Sequence, residues 1–319
     1  MIKVGVIRGG FSSEYETSLR TGENVLSHLR RDPANAMKYT VYDILLDKEG
    51  VLHLHGLPIS IQDLSKRVDV VVNALHGEFG EDGRMQQLLE QHHIPYTGSK
   101  ALSSSIGFNK VLLKNEIKKL GLKTPQHFII SAYQESMDGE LVEYAQKKAK
   151  EVFRKLSPPW IIKPLSSGSS FGIHICNTLP ELIKTFQNTE VHSVSLIVEE
   201  LISGKKAHMN VIENFRGKEL YSLPSVEIRE DQNICPGNFS NEEKKELGRL
   251  AETLHSKLYL NHYSNSEFVV TPKRGIYVLN IKTLPELSEE SNFSKTLSSV
   301  GSNIPEFIDH IIDLALAKK

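Results

Sequence analysis

The run Val68–Leu75, VDVVVNAL, is almost uninterruptedly apolar and β-branched. A strand of that composition has no side to turn to water, so it belongs in a parallel sheet covered on both faces. A Gly-rich turn follows, HGEFGEDG (His76–Gly83), and Met85, Leu88 and Leu89 then take helical spacing. The same order opens the chain. Lys3–Ile7 is a short apolar strand, Gly9-Gly10-Phe11-Ser12-Ser13-Glu14 is its turn, and Thr17–Arg31 carries Leu19, Leu26 and Leu29 on one helical side. Tyr39–Leu46 adds another β-rich segment. Strand, Gly-rich turn and helix in repetition predict an open doubly wound sheet, whose ligand crevice lies beyond the carboxyl ends of its strands. Both Gly-rich turns fall there.

The remaining chain reads differently. Tyr96–Ser99 marks a boundary. A helix is expected over Asn109–Leu120, a strand over His127–Ile130 and a charged helix over Gly139–Leu156. From Ser195 the chain is β-rich: SLIVEELI, AHMNVIEN and ELYSLPSVEI, then a helix over Asn241–Leu258, the strands SEFVV and IYVLNI, and an amphipathic helix over Pro305–Ala317. The 319 residues exceed one comfortable core, and we expect three units: a doubly wound one over 1–99 and two α+β ones over 100–197 and 198–319. A net charge of −1 supplies no global basic field for nucleic acid or acidic lipid. No apolar run approaches a bilayer span. The two cysteines lack metal-ligand spacing, and the first residues read directly as a strand, with no room for a signal peptide. A cytoplasmic chain is expected, with no nucleic-acid or membrane partner.

Three segments are candidates for chemistry. In IIKPLSSGSSFGIHI (Ile161–Ile175) a Gly/Ser turn joins two apolar runs. Its successive backbone N–H groups can cradle a phosphate, with Lys163 adding a point charge; equally, it can be a plain hairpin whose serines satisfy the turn. It is not a Walker A loop, because the Lys precedes the glycines. In HGEFGEDG, a capped strand–helix turn accounts for Asp82 and Glu81 but not for His76-Gly77, and leaves His76 and Glu78 facing the crevice. Glu14 is either a helix-start carboxylate or a partner for a substrate ammonium.

GGFSSE, HGEFGEDG, the pair Asn109-Lys110 and K-P-x-x-x-G-S-S-x-G occur here in the order found in D-alanine–D-alanine ligases, and the chain resembles that family of the ATP-grasp superfamily over nearly its whole length. The resemblance implies a doubly wound N-terminal domain followed by a two-part ATP-grasp unit holding ATP between its parts. It implies that Lys110 and Lys163 contact the phosphates and that Ser169, Ser170 and Gly172 belong to the loop closing over them. Val198–Gly204 resembles the adenine-binding linker, with Glu199 ahead of Glu200 as its acid. Glu14 matches the residue holding the first D-alanine's ammonium, with His76 beside it, so Glu14, His76 and Ser169 are the catalytic candidates. Ser291 falls near the position for the second substrate's carboxylate. A homodimer and a pair of Mg²⁺ ions are implied as well.

Several positions depart from the family pattern. Glu267 stands for an Asp and Asn280 for a Glu among the metal ligands, Lys282 replaces the third ligand, an Asn, and Asn265 replaces an Arg. Glu286 replaces a Gly, Lys206 replaces a ribose-binding Glu, and EIREDQN runs almost directly into Ile234-Cys235-Pro236-Gly237, so that a family loop is much shortened. Mg²⁺ needs hard oxygen ligands in near-octahedral geometry, which Glu267 and Asn280 can supply and an ammonium cannot. A Lys ammonium ~5 Å from a divalent ion is repelled by about 6–7 kcal/mol at an effective dielectric of ~20. Either Lys282 swings toward Glu286, Glu289 or Glu290, or it stands in for one metal and touches phosphate, or the strand register differs by a residue or two. Solvated charges at a strand end are the plainer alternative. The function expected is ATP-dependent carboxylate–amine ligation with D-alanine as a substrate. The departures leave open a homologue that binds without efficient ligation, or a different second substrate.

Overall fold

The computed structural model of the chain describes residues 1–31, 37–165, 172–188 and 194–317. Strands β1 (Ile2–Gly9), β2 (Tyr39–Leu46), β3 (Leu52–Leu54), β4 (Leu57–Pro58) and β5 (Val70–Asn73) form one sheet in the order β4-β3-β2-β1-β5. β1 is parallel to β2 on one side and to β5 on the other. Every residue of β5 is buried, as its three valines require, with Asn73 the one polar member, while Ala74 and Leu75 leave the ladder but stay in the core. Because the chain departs from β1 to β2 but β5 lies on the opposite side, the switch point falls between β1 and β5. Their two following turns meet there. The Ser12 hydroxyl donates to the His76 carbonyl at 2.7 Å, and the Gly9 N–H donates to Ser18 Oγ at 2.8 Å, which in turn donates to the Ala74 carbonyl. Gly9 has φ +93°, and a Cβ there would lie 2.4 Å from the Leu46 carbonyl oxygen, so no other residue fits this approach.

The second sheet is antiparallel throughout: β6 (His127–Ile130), β7 (Trp160–Pro164), β8 (His174–Cys176) and β9 (Leu196–Glu200), in the order β6-β9-β7-β8. The helices Leu141–Lys155 and Leu179–Phe186 lay Ala145, Ala149, Val152, Leu182 and Phe186 against Trp160, Ile162 and Val198. β7 and β8 are the two arms of the Ile161–Ile175 hairpin, with Ile161 opposite Ile175. Residues 166–171, including Ser169 and Ser170, lie outside the described residues. Gly172, at the hairpin's return, has φ +75°.

The third sheet contains β10 (Lys205–Phe215), β11 (Lys218–Ser222), β12 (Val226–Ile228), β13 (Tyr263–Thr271) and β14 (Gly275–Lys282), ordered β11-β10-β13-β14 with β12 also on β10. ELYSLPSVEI is two strands rather than one, because Pro224 has no N–H for a ladder. The helix Asn241–Lys257 begins at a capping box of Ser240 and Glu243 and packs on β10 and β13 through Leu247, Ala251 and Leu254. The final helix, Ile304–Ala317, returns to the first sheet: Phe307, Ile308, Ile311 and Ile312 join Val4, Val6, Leu26, Val70 and Val72 in one buried cluster. Helices at Ile61–Ser65, Ala101–Phe108, Leu179–Phe186 and Asn292–Ser299 were not expected from periodicity. Ala101–Phe108 is Ser-rich with little amphipathic contrast. It abuts the next helix at Asn109, whose side chain accepts from the N–H groups of Val111 and Leu112. Among the described residues no helix is long and apolar enough to cross a membrane.

Candidate active site

A cavity of about 420 Å³ opens where the three sheets meet, lined at one end by Lys110, Lys114, Lys163 and Glu199 and at the other by Glu14, Glu267, Asn280 and Lys282. The first end is built by a helix and two strands. Lys110 and Lys114 are one turn apart on the helix Lys110–Lys119, hence on one face. Glu199 lies opposite Ile161 on the β7–β9 ladder, which puts it diagonal to Lys163 on the same face. Its carboxylate bridges two ammonium groups, Lys114 Nζ at 2.9 Å and Lys163 Nζ at 2.9 Å, and Lys114 also donates to Thr124 Oγ1 at 3.1 Å. Burial opposes ionisation of Glu199, but the two lysines outweigh it and hold its pKa below the usual carboxylate range. Burial, then the nearby Lys163 charge, brings Lys110 down to about 8. Three ammonium groups against one carboxylate make this end an attractor for a multiply charged anion.

At the opposite end Glu14 leads into an acidic cluster with Glu81, which lines a smaller cavity together with Lys110, Asn280 and Lys282. One ligand atom each from Glu14, His76 and Glu81 lie within 4.8 Å of one another. Glu14 Oε1 and Glu81 Oε1 are buried without a hydrogen-bond partner. Glu81 Oε2 accepts from the Gly77 N–H at 3.0 Å. Burial pushes Glu81 up to about 7; the Lys282 charge opposes that shift and the Glu14 charge adds to it. Burial lowers His76 to about 3, with Lys282 and Arg20 adding to the effect, so its imidazole is neutral; His76 Nε2 sits 2.9 Å from Thr21 Oγ1. Two carboxyl groups with unsatisfied oxygens beside a neutral imidazole form a pocket for a small cation.

β13 and β14 supply the floor. Asn265 is opposite Lys282 and Glu267 opposite Asn280, so all four side chains share one face. Asn265 donates to Asn210 Oδ1 at 2.8 Å, and Asn210 donates to Thr296 Oγ1 at 3.0 Å. Lys282 therefore lies in the cleft, half-buried and sharing a smaller cavity with Glu286, and not beside the exposed Glu289 and Glu290. The floor does not fit the family's pair of Mg²⁺ ions, because Glu267 is its one carboxylate, Asn265 and Asn280 offer only amide oxygens, and an ammonium stands at the third ligand position.

Other expectations are corrected. Glu78 does not face the crevice: it is exposed and 4.0 Å from Arg84 Nη2. Gly83, at φ 95°, occupies the N-cap position, but Asp82 does the capping from one residue earlier: its carboxylate accepts from the N–H of Arg84, the first helical residue, and from that of Phe79. Glu81 is not explained by capping; it turns into the acidic pocket. Glu200 faces away from Glu199, accepting from the Gln126 N–H and pairing with Arg274 at 3.1 Å. Ser291 caps the helix Asn292–Ser299 by accepting from the Ser294 N–H, at the edge of a smaller cavity that also touches Glu267, Lys282 and Glu286. Glu286 accepts from the Ser288 hydroxyl at 2.8 Å and lies 3.7 Å from Arg20 Nη2. Lys206 is exposed on β10. Lys114 was missed altogether. Its signal is positional: it shares the helix's buried face with Leu113 and Ile117, where a lysine needs a partner.

A doubly wound sheet followed by two antiparallel sheets meeting over a lysine-lined cleft defines an ATP-grasp architecture. Family models described as "D-ala D-ala ligase N-terminus" and "D-ala D-ala ligase C-terminus" match residues 53–99 and 117–313. The chain belongs to the D-alanine–D-alanine ligase family. It is 29% identical to the D-alanine–D-alanine ligase of Fervidobacterium nodosum over 99% of both chains, and 28% identical to that of Geobacillus kaustophilus over 99% of this chain and 95% of the other. The fold matches the VanG D-Ala:D-Ser ligase of Enterococcus faecalis with a TM-score of 0.83 at 23% identity, covering 98% of this chain and 99% of that one. The D-alanine–D-alanine ligase of Bacillus anthracis complexed with ATP matches with a TM-score of 0.81 at 25% identity, covering 99% and 98%.

Proposed function

We propose that this protein is an ATP-dependent carboxylate–amine ligase that activates D-alanine and joins it to a second D-alanine, as in peptidoglycan-precursor synthesis. One observation carries the reading: a single cavity is lined by an ammonium cluster, Lys110, Lys114 and Lys163, and by Glu14, whose Oε1 is buried with no hydrogen-bond partner. The lysine end suits the phosphates of ATP, through Lys110 and Lys163, with Ser169, Ser170 and Gly172 in the closing loop and Glu199 at the base. Glu14 suits the amino acid's ammonium, with His76 beside it holding a neutral imidazole. Bound between these ends, the D-alanine carboxylate faces the γ-phosphorus. A new O–P bond forms as the bond to ADP breaks, giving an acyl phosphate. The second substrate's amine then attacks the acyl carbon, phosphate leaves, and the amine proton passes to the solvent or the phosphate. Most of the protein's contribution is positioning and charge neutralisation. Mg²⁺ enters this reading through Glu267 and Asn280, which can supply oxygens for one ion.

The three-unit division at 1–99, 100–197 and 198–319, the homodimer and the cytoplasmic location belong to the same proposal. The resemblance supports the first two, and the cytoplasmic supply of ATP supports the third. The test is ATP-dependent phosphate release with D-alanine, with and without Mg²⁺, in the unaltered protein and in Glu14→Gln. Release is expected to need D-alanine. Glu14→Gln is expected to raise the D-alanine requirement at least ~10-fold, the loss of a charge-assisted contact, while leaving nucleotide affinity unchanged. Phosphate release indifferent to D-alanine, or equal losses of nucleotide and D-alanine affinity, would contradict the assignment.

A further inference from the structure

We propose that the Lys282 ammonium is a resident cation that takes the place of one divalent ion, so that nucleotide enters this cleft with a single Mg²⁺. The inference rests on the nucleotide-binding reading above and concerns what neutralises the phosphates.

Three observations carry it. First, the cleft floor offers oxygen donors for only one metal. Asn265, Glu267, Asn280 and Lys282 share one face of the β13–β14 ladder, and the Asn265 amide donates to Asn210. Glu267 is the one carboxylate among them; with the Asn280 oxygen it suffices for one Mg²⁺ completed by phosphate oxygens and water, while an ammonium stands where a second ion would need a ligand. Second, Lys282 lines the same 420 Å³ cavity as Glu267, Asn280, Lys110 and Lys163, so its ammonium and the proposed phosphate site share one space. Third, Lys282 is surrounded by negative charge without being locked to it. It shares cavities with Glu14, Glu81, Glu267 and Glu286, yet among the described residues it forms no ion pair with any of them. An ammonium set among several carboxylates and bound to none is available to a phosphate oxygen. A fully solvated strand-end lysine would not line this cavity, and one paired to Glu289 or Glu290 would point elsewhere.

An ammonium differs from a metal in ways that can be counted. It occupies the position permanently, it needs no divalent ion in solution, and it repels a second divalent ion. The test uses the full chain, Mn²⁺ as the paramagnetic probe and a saturating non-hydrolysable ATP analogue, with free Mn²⁺ read by electron paramagnetic resonance. One Mn²⁺ per nucleotide-loaded protein is expected. Asn280→Glu combined with Lys282→Asn should raise the count to two. With EDTA present, Lys282→Met should bind the analogue at least ~10-fold more weakly than the unaltered protein. Two Mn²⁺ ions in the unaltered protein would overturn the proposal by themselves, whether or not the variants fold. It also fails if folded Lys282→Met keeps its metal-free nucleotide affinity, or if that variant only tightens D-alanine binding, which would make Lys282 an internal partner of Glu14. No nucleotide binding under any condition would remove the ligase reading beneath it. Nucleotide binding with two metals would remove this inference alone.

Discussion

Lys110 shows how far a residue's chemistry lies from its place in the sequence. The Asn109-Lys110 pair marks it as a phosphate contact by resemblance, but nothing local says that burial and Lys163 bring its pKa down to about 8. Phosphate favours the charged form, which predominates below that pH and is lost as pH rises through it. Nucleotide affinity should therefore hold near pH 7 and weaken above about pH 8, by at most tenfold per pH unit. Dissociation constants measured from pH 6.5 to 9.5 check this, and Lys110→Arg should flatten the profile. A flat profile in the unaltered protein would take Lys110 out of the phosphate site. The acidic end repeats the lesson. HGEFGEDG makes His76 a candidate, yet it reads equally well with Glu81 as a turn residue, and only the fold turns Glu81 inward beside Glu14.

At the scale of elements, the Glu199 bridge joins the helix Lys110–Lys119 to β7 and β9 through Lys114 and Lys163. Lys114 is almost completely buried, so its charge depends on Glu199 and Thr124. Glu199→Gln should destabilise the protein by about 3–5 kcal/mol, because it leaves a buried ammonium uncompensated. Adding Lys114→Met should recover most of the loss, since the cost lies in the orphaned charge rather than in the missing bond. Chemical denaturation of the two variants checks it; a Glu199→Gln protein as stable as the parent would mean that Lys114 reaches water. Strand positions were largely legible because their apolar runs are continuous: His127–Ile130 is a strand over its whole expected length. The helix Ala101–Phe108 was not, because its serines carry little amphipathic signal and it is held by contacts with distant segments, including the Ser103 hydroxyl donating to the Tyr259 carbonyl at 2.8 Å.

In the whole molecule, the last helix closes the core of the first sheet. Phe307 is fully buried, 5.1 Å from the ring of Tyr263 on β13 and 4.6 Å from that of Phe293. Tyr39 on β2 donates to Asp309 at 2.7 Å. Phe307→Ala should cost about 3–5 kcal/mol and lower the urea midpoint of the first and third sheets together. Separate transitions of tryptic fragments from the two ends would show that the shared core does not couple them. The sequence by itself determined the doubly wound start, the β-rich last third and the motifs that identify the family, because periodicity, turn glycines and short motifs are local properties. Only the tertiary structure decided that Lys282 lies in the cleft opposite Asn265, that Glu81 joins Glu14 and His76, and that Glu199 binds two lysines. A charged side chain's direction and protonation depend on which distant groups share its low-dielectric surroundings. Those groups are brought there by sheet register and helix docking, not by chain order.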